Sequence, residues 1–176
     1  MGGDKLIGAV LKGLGAINEP ITVGARNLSG VFLVLMTGIV MIQVIARYGL
    51  NNSLSWSEEL SKTLMVWSAF LVAPWAYRNS ANVAIEMFSD AFPKAIARAA
   101  QLVITLLVLW ITAVFFVESL AFVERGMKAN AAALPVKTGV FYLVTPFSFA
   151  MLFVVGCELL CRQAQELIAP VKAPEA

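Results

Sequence analysis

Four continuous apolar runs dominate this chain, at about residues 27–46, 56–77, 99–123 and 138–161. Each is near the ~20 residues that a helix needs to cross a ~30 Å hydrocarbon core. Inside a bilayer no water can bond the backbone N–H and C=O groups, so a crossing segment must satisfy them itself. The runs are continuous rather than alternating, which points to helices and away from a barrel of strands. Composition agrees: 60% of the 176 residues are apolar and 14% are charged, against about 25% charged in a soluble domain. The chain is therefore expected to be an all-α integral membrane protein with four transmembrane helices. Its short connections leave no room for a water-soluble domain.

Three parts are expected along the chain: residues 1–26 as an N-terminal amphipathic interfacial segment, 27–165 as the four-helix transmembrane domain, and 166–176 as a disordered cytoplasmic tail. In the first part Leu6, Ile7, Val10, Leu11, Leu14 and Ile17 share one helical face, with Lys5 and Lys12 on another. Such a helix lies in the headgroup region with its lysines among anionic lipids. Lys12 in the middle of this stretch, and no small-x-small pattern before the first run, argue against a cleavable signal peptide. Pro170 and Pro174 mark the tail.

Several function classes fall away on composition. A net charge of +2 gives no basic patch for nucleic acid, and histidine is absent. Bis-His haem ligation, His-based metal sites and His general-base chemistry go with it. Cys157 and Cys161 lie one turn apart in the last run, where they read as small apolar residues. No glycine-rich phosphate loop, nucleophile–base pair or metal-ligand spacing is present, so neither an enzyme nor a cofactor is expected.

Orientation follows from Lys and Arg. With the N-terminus inside, eight fall in inner segments (Lys5, Lys12, Arg26, Arg78, Lys94, Arg98, Arg162, Lys172) and five in outer ones (Arg47, Lys62, Arg125, Lys128, Lys137). The bias places both termini in the cytoplasm.

Local signals mark the runs. Gly30, Thr37 and Gly38 give the first a small-residue face that permits close helix approach. Ser55 and Glu58 have the spacing of a capping box at the start of the second helix. Trp56 at one end and Trp75 with Tyr77 at the other suit the two aromatic belts. Pro74 falls in its last turn. Residues 79–92 read as a mixed segment along the membrane surface, followed by Pro93 in the first turn of a long third helix capped by Gly126. Pro146 lies inside the fourth run, which closes on Glu158 and Arg162, an i,i+4 pair. Glu118 is an acid within a span. It can bind a cation, relay a proton, reach toward the rim or pair with a basic residue of another helix or subunit. Trp67, near mid-span, reads as a packing anchor.

One ordered set of residues carries a family resemblance. It comprises Arg47, Tyr48, Asn51, Ser53, Trp56, Glu58 and Glu59, a basic residue at Lys62, Trp67 and Phe70 inside the span, and Arg78 at its end. Asn82, Ile85 and Glu86 follow, where the family often has a His-Ile-x-x-Asp-like element. Ala133-Leu134-Pro135 and Thr145-Pro146-Phe147-Ser148-Phe149 come later. In this pattern the chain resembles the small membrane subunit (DctQ type) of tripartite ATP-independent periplasmic (TRAP) transporters, over about residues 27–165.

The resemblance implies a large multi-span membrane subunit as partner, which carries the substrate and sodium sites, and a periplasmic substrate-binding protein that delivers an organic acid. It implies a scaffold subunit with no transport site of its own, in the bacterial inner membrane. Candidate partner-interface residues are Arg47, Tyr48, Trp56, Glu58, Glu59, Lys62, Trp67, Arg78 and Glu118, with membrane lipid as a further partner. The residues themselves agree, because few polar groups lie at membrane depth and no repeated broken helices mark a transport site. The alternative is a self-contained four-helix transporter or channel acting as a homo-oligomer, with Glu118 as its coupling group.

Overall fold

A computed structural model describes the backbone of residues 3–50, 54–91, 94–133 and 135–168, and the side chains of 11, 13–50, 54–79, 99–133 and 135–165. It is helical: α1 (Gly3–Gly49), α2 (Ser55–Ala91), α3 (Lys94–Gly126), the short α4 (Thr138–Tyr142) and α5 (Val144–Ile168). Helix α1 packs along α2 and α3 along α5, while α5 also touches α1 and α2. Pro93 and the tail from residue 169 lie outside the described residues.

One boundary differs from the sequence expectation. Helix α2 does not stop near Asn79 but continues to Ala91. Residues 79–91 contain neither glycine nor proline, so no backbone feature ends the helix there. Asn82 and Glu86 belong to this extension, beyond the described side chains. Helix α1, at 47 residues, would extend about 70 Å. Its backbone is helical without a break at residue 26. Lys5, Leu6, Ile7, Val10 and Lys12 lie outside the described side chains, but Asn18, Thr22 and Ala25 are buried against the bundle.

The fourth apolar run is divided. Proline lacks an N–H, and its ring crowds the carbonyl four residues earlier. Pro146 would crowd Tyr142, and α4 ends at Tyr142, with α5 restarting at Val144. Pro146 therefore stands in the first turn of α5. The expected capping role of Gly126 also changes. Its backbone is not left-handed; it is glycine because of space. A Cβ there would come within 2.7 Å of Tyr142 Cδ2 and 2.8 Å of Gly139 Cα. Gly139 in turn sits against the backbone of Met127, so α3 and α4 cross at glycine on glycine.

The bundle is apolar outside and small and polar within. Val34, Met41, Ile45, Val103, Trp110 and Val117 are all more than half exposed. Ser29, Ser57, Ser61, Ser68, Thr105, Thr112, Ser119 and Ser148 are buried. Ser29 donates to the Ser68 carbonyl at 2.8 Å, and Ser148 to the Phe70 carbonyl at 2.6 Å. A water-soluble monomer rarely exposes a continuous apolar patch of this extent, whereas helices in lipid approach through small residues and hydrogen bonds. Few apolar side chains are buried; one cluster holds Ala25, Leu71 and Val144, with Phe32, Trp67, Phe70 and Met151 around them.

Among the described residues three stretches are long and apolar enough to cross a membrane: Gly13–Gly49, Ala99–Gly126 and Thr138–Gln165. The second apolar run, in α2, falls short by composition. Its buried serines and Lys62 dilute it, as suits a helix packed against α1 and α5 rather than surrounded by lipid.

Candidate functional site

The residues singled out by sequence separate into three places. One end of the bundle is organised by Glu158, only 1% exposed. The adjacent apolar stretch of α5 carries this carboxylate inward, where three donors meet it. Asn18 Nδ2 of α1 donates to Oε2 at 2.8 Å. Arg78 of α2 donates to Oε1 through Nη2 at 3.0 Å and Nε at 3.3 Å. Arg162, one turn along α5, reaches Oε1 at 3.5 Å. Thr22 secures the Asn18 turn by donating to its carbonyl at 2.7 Å. Nearby, the Arg26 guanidinium lies over the Trp75 ring, 5.0 Å from its centroid.

This node joins α1, α2 and α5. A buried carboxylate is tolerable only when paired and hydrogen-bonded, and removing one partner leaves an uncompensated charge. Arg78 was a candidate by position in the pattern. Sequence spacing gives Glu158 only the i,i+4 partner Arg162, which is the longest of its bonds, and gives Asn18 no role. A carboxylate among Val155, Leu159 and Leu160, at the same end as an arginine of another helix, was the available signal.

The opposite end is tied by Glu59. The α3–α4 connection folds back on itself, with Ala131 N–H bonded to the Val136 carbonyl and Thr138 N–H to the Ala129 carbonyl. This turns the N–H groups of Ala132 and Ala133 to Glu59, at 3.2 and 2.8 Å. Trp67 acts alongside: its indole Nε1 donates to the Phe141 carbonyl at 2.8 Å, and its ring meets Phe32 at 5.9 Å. Glu59, Lys62 and Trp67 line one groove with Thr138 and Phe141.

The capping box takes another form. Ser55 is inside the helix, and the Leu54 carbonyl accepts both the N–H and the hydroxyl of Ser57. Glu58 points outward and takes Lys62 Nζ at 2.6 Å, with both side chains exposed. Arg47, Tyr48 and Trp56 are exposed at this end.

Glu118 occupies the third place. It is exposed on α3, in a hollow with Phe115, Ser119, Phe122, Arg125 and Phe149. The small-residue face of α1 is likewise open, since a Cβ at Gly30 or Gly38 would meet nothing within 4 Å. Cys157 and Cys161 are free thiols. Among the described residues no three His, Cys, Asp or Glu side chains come together.

An outward apolar surface, a small polar interior and ties between helices at both ends define a helical bundle of the membrane-protein kind. Residues 36–166 match the family described as tripartite ATP-independent periplasmic transporters, DctQ component, and the chain belongs to that family. It is similar to a Haemophilus influenzae chain named as a TRAP transporter small permease protein, 36% identical over 61 residues, covering 35% of this chain and 38% of that one. It is also similar to the sialic acid TRAP transporter permease protein SiaT of Haemophilus influenzae, 29% identical over 110 residues, 62% of this chain and 17% of that one. The isethionate TRAP transporter permease protein DctMQ of Oleidesulfovibrio alaskensis is 23% identical over 101 residues, 56% of this chain and 16% of that one. The match thus spans well under half the length of each of these relatives.

Proposed function

We propose that this chain is the small scaffold subunit of a sodium-driven, binding-protein-dependent TRAP transporter for organic acids. In this reading it packs against a large transport subunit in the bacterial inner membrane and has no transport site of its own. The observation that carries the reading is where the polar groups go. Glu158, Arg78, Asn18, Glu59, Ser29 and Ser148 are bonded to other helices or loops of this chain. Such groups hold helices together rather than solvate an ion or a carboxylate substrate. Two relatives support a large partner. Their matched stretches imply chains more than three times as long as this one, and the remainder corresponds to what a separate subunit would supply here.

The proposal includes four crossings, with α2 as the fourth, both termini cytoplasmic and the first turns of α1 in the interface. A self-contained transporter is less well supported, because among the described residues no second acid lines the hollow at Glu118. The test is reconstitution in liposomes with a sodium gradient and labelled organic acids. Uptake is expected only with the large subunit and the binding protein present. Uptake by this chain alone would overturn the scaffold reading.

A further inference from the structure

Glu118 is on the outside of the bundle, in the middle of an apolar surface. Val114, Phe115, Val117, Leu120 and Phe122 around it are exposed. It lies eight residues before the end of α3 at Gly126, roughly 12 Å along the axis, within the stretch Ala99–Gly126 that is long and apolar enough to cross a membrane. Among the described residues it has no ion pair or hydrogen bond. Arg125 shares the hollow, but its Nε donates to the Ala121 carbonyl at 3.2 Å. The walls are set by paired rings: Phe115 stacks on Phe149 at 5.4 Å, and Phe122 meets Tyr142 at 4.3 Å. A carboxylate facing acyl chains is costly, and intramembrane acids almost always face protein or water and pair with a donor.

We propose that the α3–α5 face around Glu118 is the surface on which a transmembrane helix of the large subunit docks, bringing a Lys or Arg side chain to Glu118. This rests on the small-subunit reading. It commits to the charged α3 face over the open face of α1 at Gly30 and Gly38, because the α1 face carries no group that demands a partner. Glu118 does, and the fixed aromatic hollow beside it gives an incoming helix a shaped seat.

The experiment co-expresses the full chain with its large subunit. A photo-crosslinking amino acid is placed at Val114 or Ala121, beside Glu118, and at Val34, between Gly30 and Gly38. Wild-type co-purification tests the small-subunit reading itself. Crosslinks to the large subunit from Val114 and Ala121, and not from Val34, are expected. Glu118→Lys should lower recovery of the large subunit at least ~tenfold, since like charges across an interface are strongly unfavourable. Glu118→Gln keeps an acceptor but leaves the incoming cation uncompensated, so recovery should fall by more than about twofold and by less than in Glu118→Lys. If the subunits co-purify but crosslink only from Val34, or Val114 and Ala121 reach only lipid or a second copy of this chain, the docking face is wrong while the small-subunit reading stands. If the wild-type chains do not associate, both fall.

Discussion

Glu158 and Glu118 are carboxylates set among apolar residues of the same bundle, and the fold treats them in opposite ways. Glu158 is buried where three helices converge, and Asn18, Arg78 and Arg162 all donate to it. Glu118 faces outward from α3 with ring walls and no partner among the described residues. Neighbouring sequence does not separate the two. What separates them is the location of the nearest donor, inside this chain or beyond it. An acid at membrane depth therefore reports on assembly at two levels: a satisfied one fixes the tertiary fold, and an unsatisfied one marks where the fold expects a neighbour. Much the same contrast holds for Glu59 and Glu58, adjacent in sequence, of which one clamps a loop and the other forms an exposed pair.

The contrast is tested most severely at Arg78. Arg78→Ala leaves Glu158 buried with only Asn18 and the longer Arg162 contact. The expected cost is about 3 kcal/mol, the range for breaking one side of a buried pair. It should appear as a lower thermal midpoint of the purified chain in detergent. Glu158→Gln should fall less, because the amide oxygen can still accept the Asn18 N–H. An unchanged midpoint in Arg78→Ala would show that the node does not hold the bundle.

A smaller effect is expected at the Glu59 end. Glu59→Ala removes the acceptor for two backbone N–H groups, one of them exposed, a loss of about 1 kcal/mol after allowance for solvent. A single cysteine at Asn130, with Cys157 and Cys161 replaced, reports on the loop through its rate of thiol labelling. Labelling should accelerate in Glu59→Ala and stay unchanged in Glu58→Ala. Equal rates in the two variants would erase the distinction between the adjacent acids.

The sequence made the spanning elements legible because a continuous apolar run is a local property. The first three expected runs each lie in one helix and the fourth is split between α4 and α5, although α2 is too rich in serine to pass as a span by composition alone. Features that depend on distant residues were not legible. Asn18 and Glu158 are 140 positions apart and Arg78 and Glu158 are 80 apart, so only the i,i+4 contact with Arg162 could be read from spacing. Gly126 looked like a cap because glycine often ends helices, yet its need is set by Gly139 across a crossing that no local pattern reveals. The stretch after Asn79 looked mixed because its polar and apolar residues alternate irregularly, while the backbone had no reason to leave the helix. For the candidate site, the ordered pattern from Arg47 to Arg78 pointed to the right family, but it did not show which of its acids bind within the chain.

The division between inward and outward acids is tested most directly by one measurement, the thermal midpoint of the chain in detergent with and without its large subunit. A partner that binds the native state raises the midpoint. In Glu118→Lys the chain alone should melt as the wild type does, and the rise on adding the large subunit should be lost. Early melting of Glu118→Lys on its own, or a full rise with the partner present, would contradict the account.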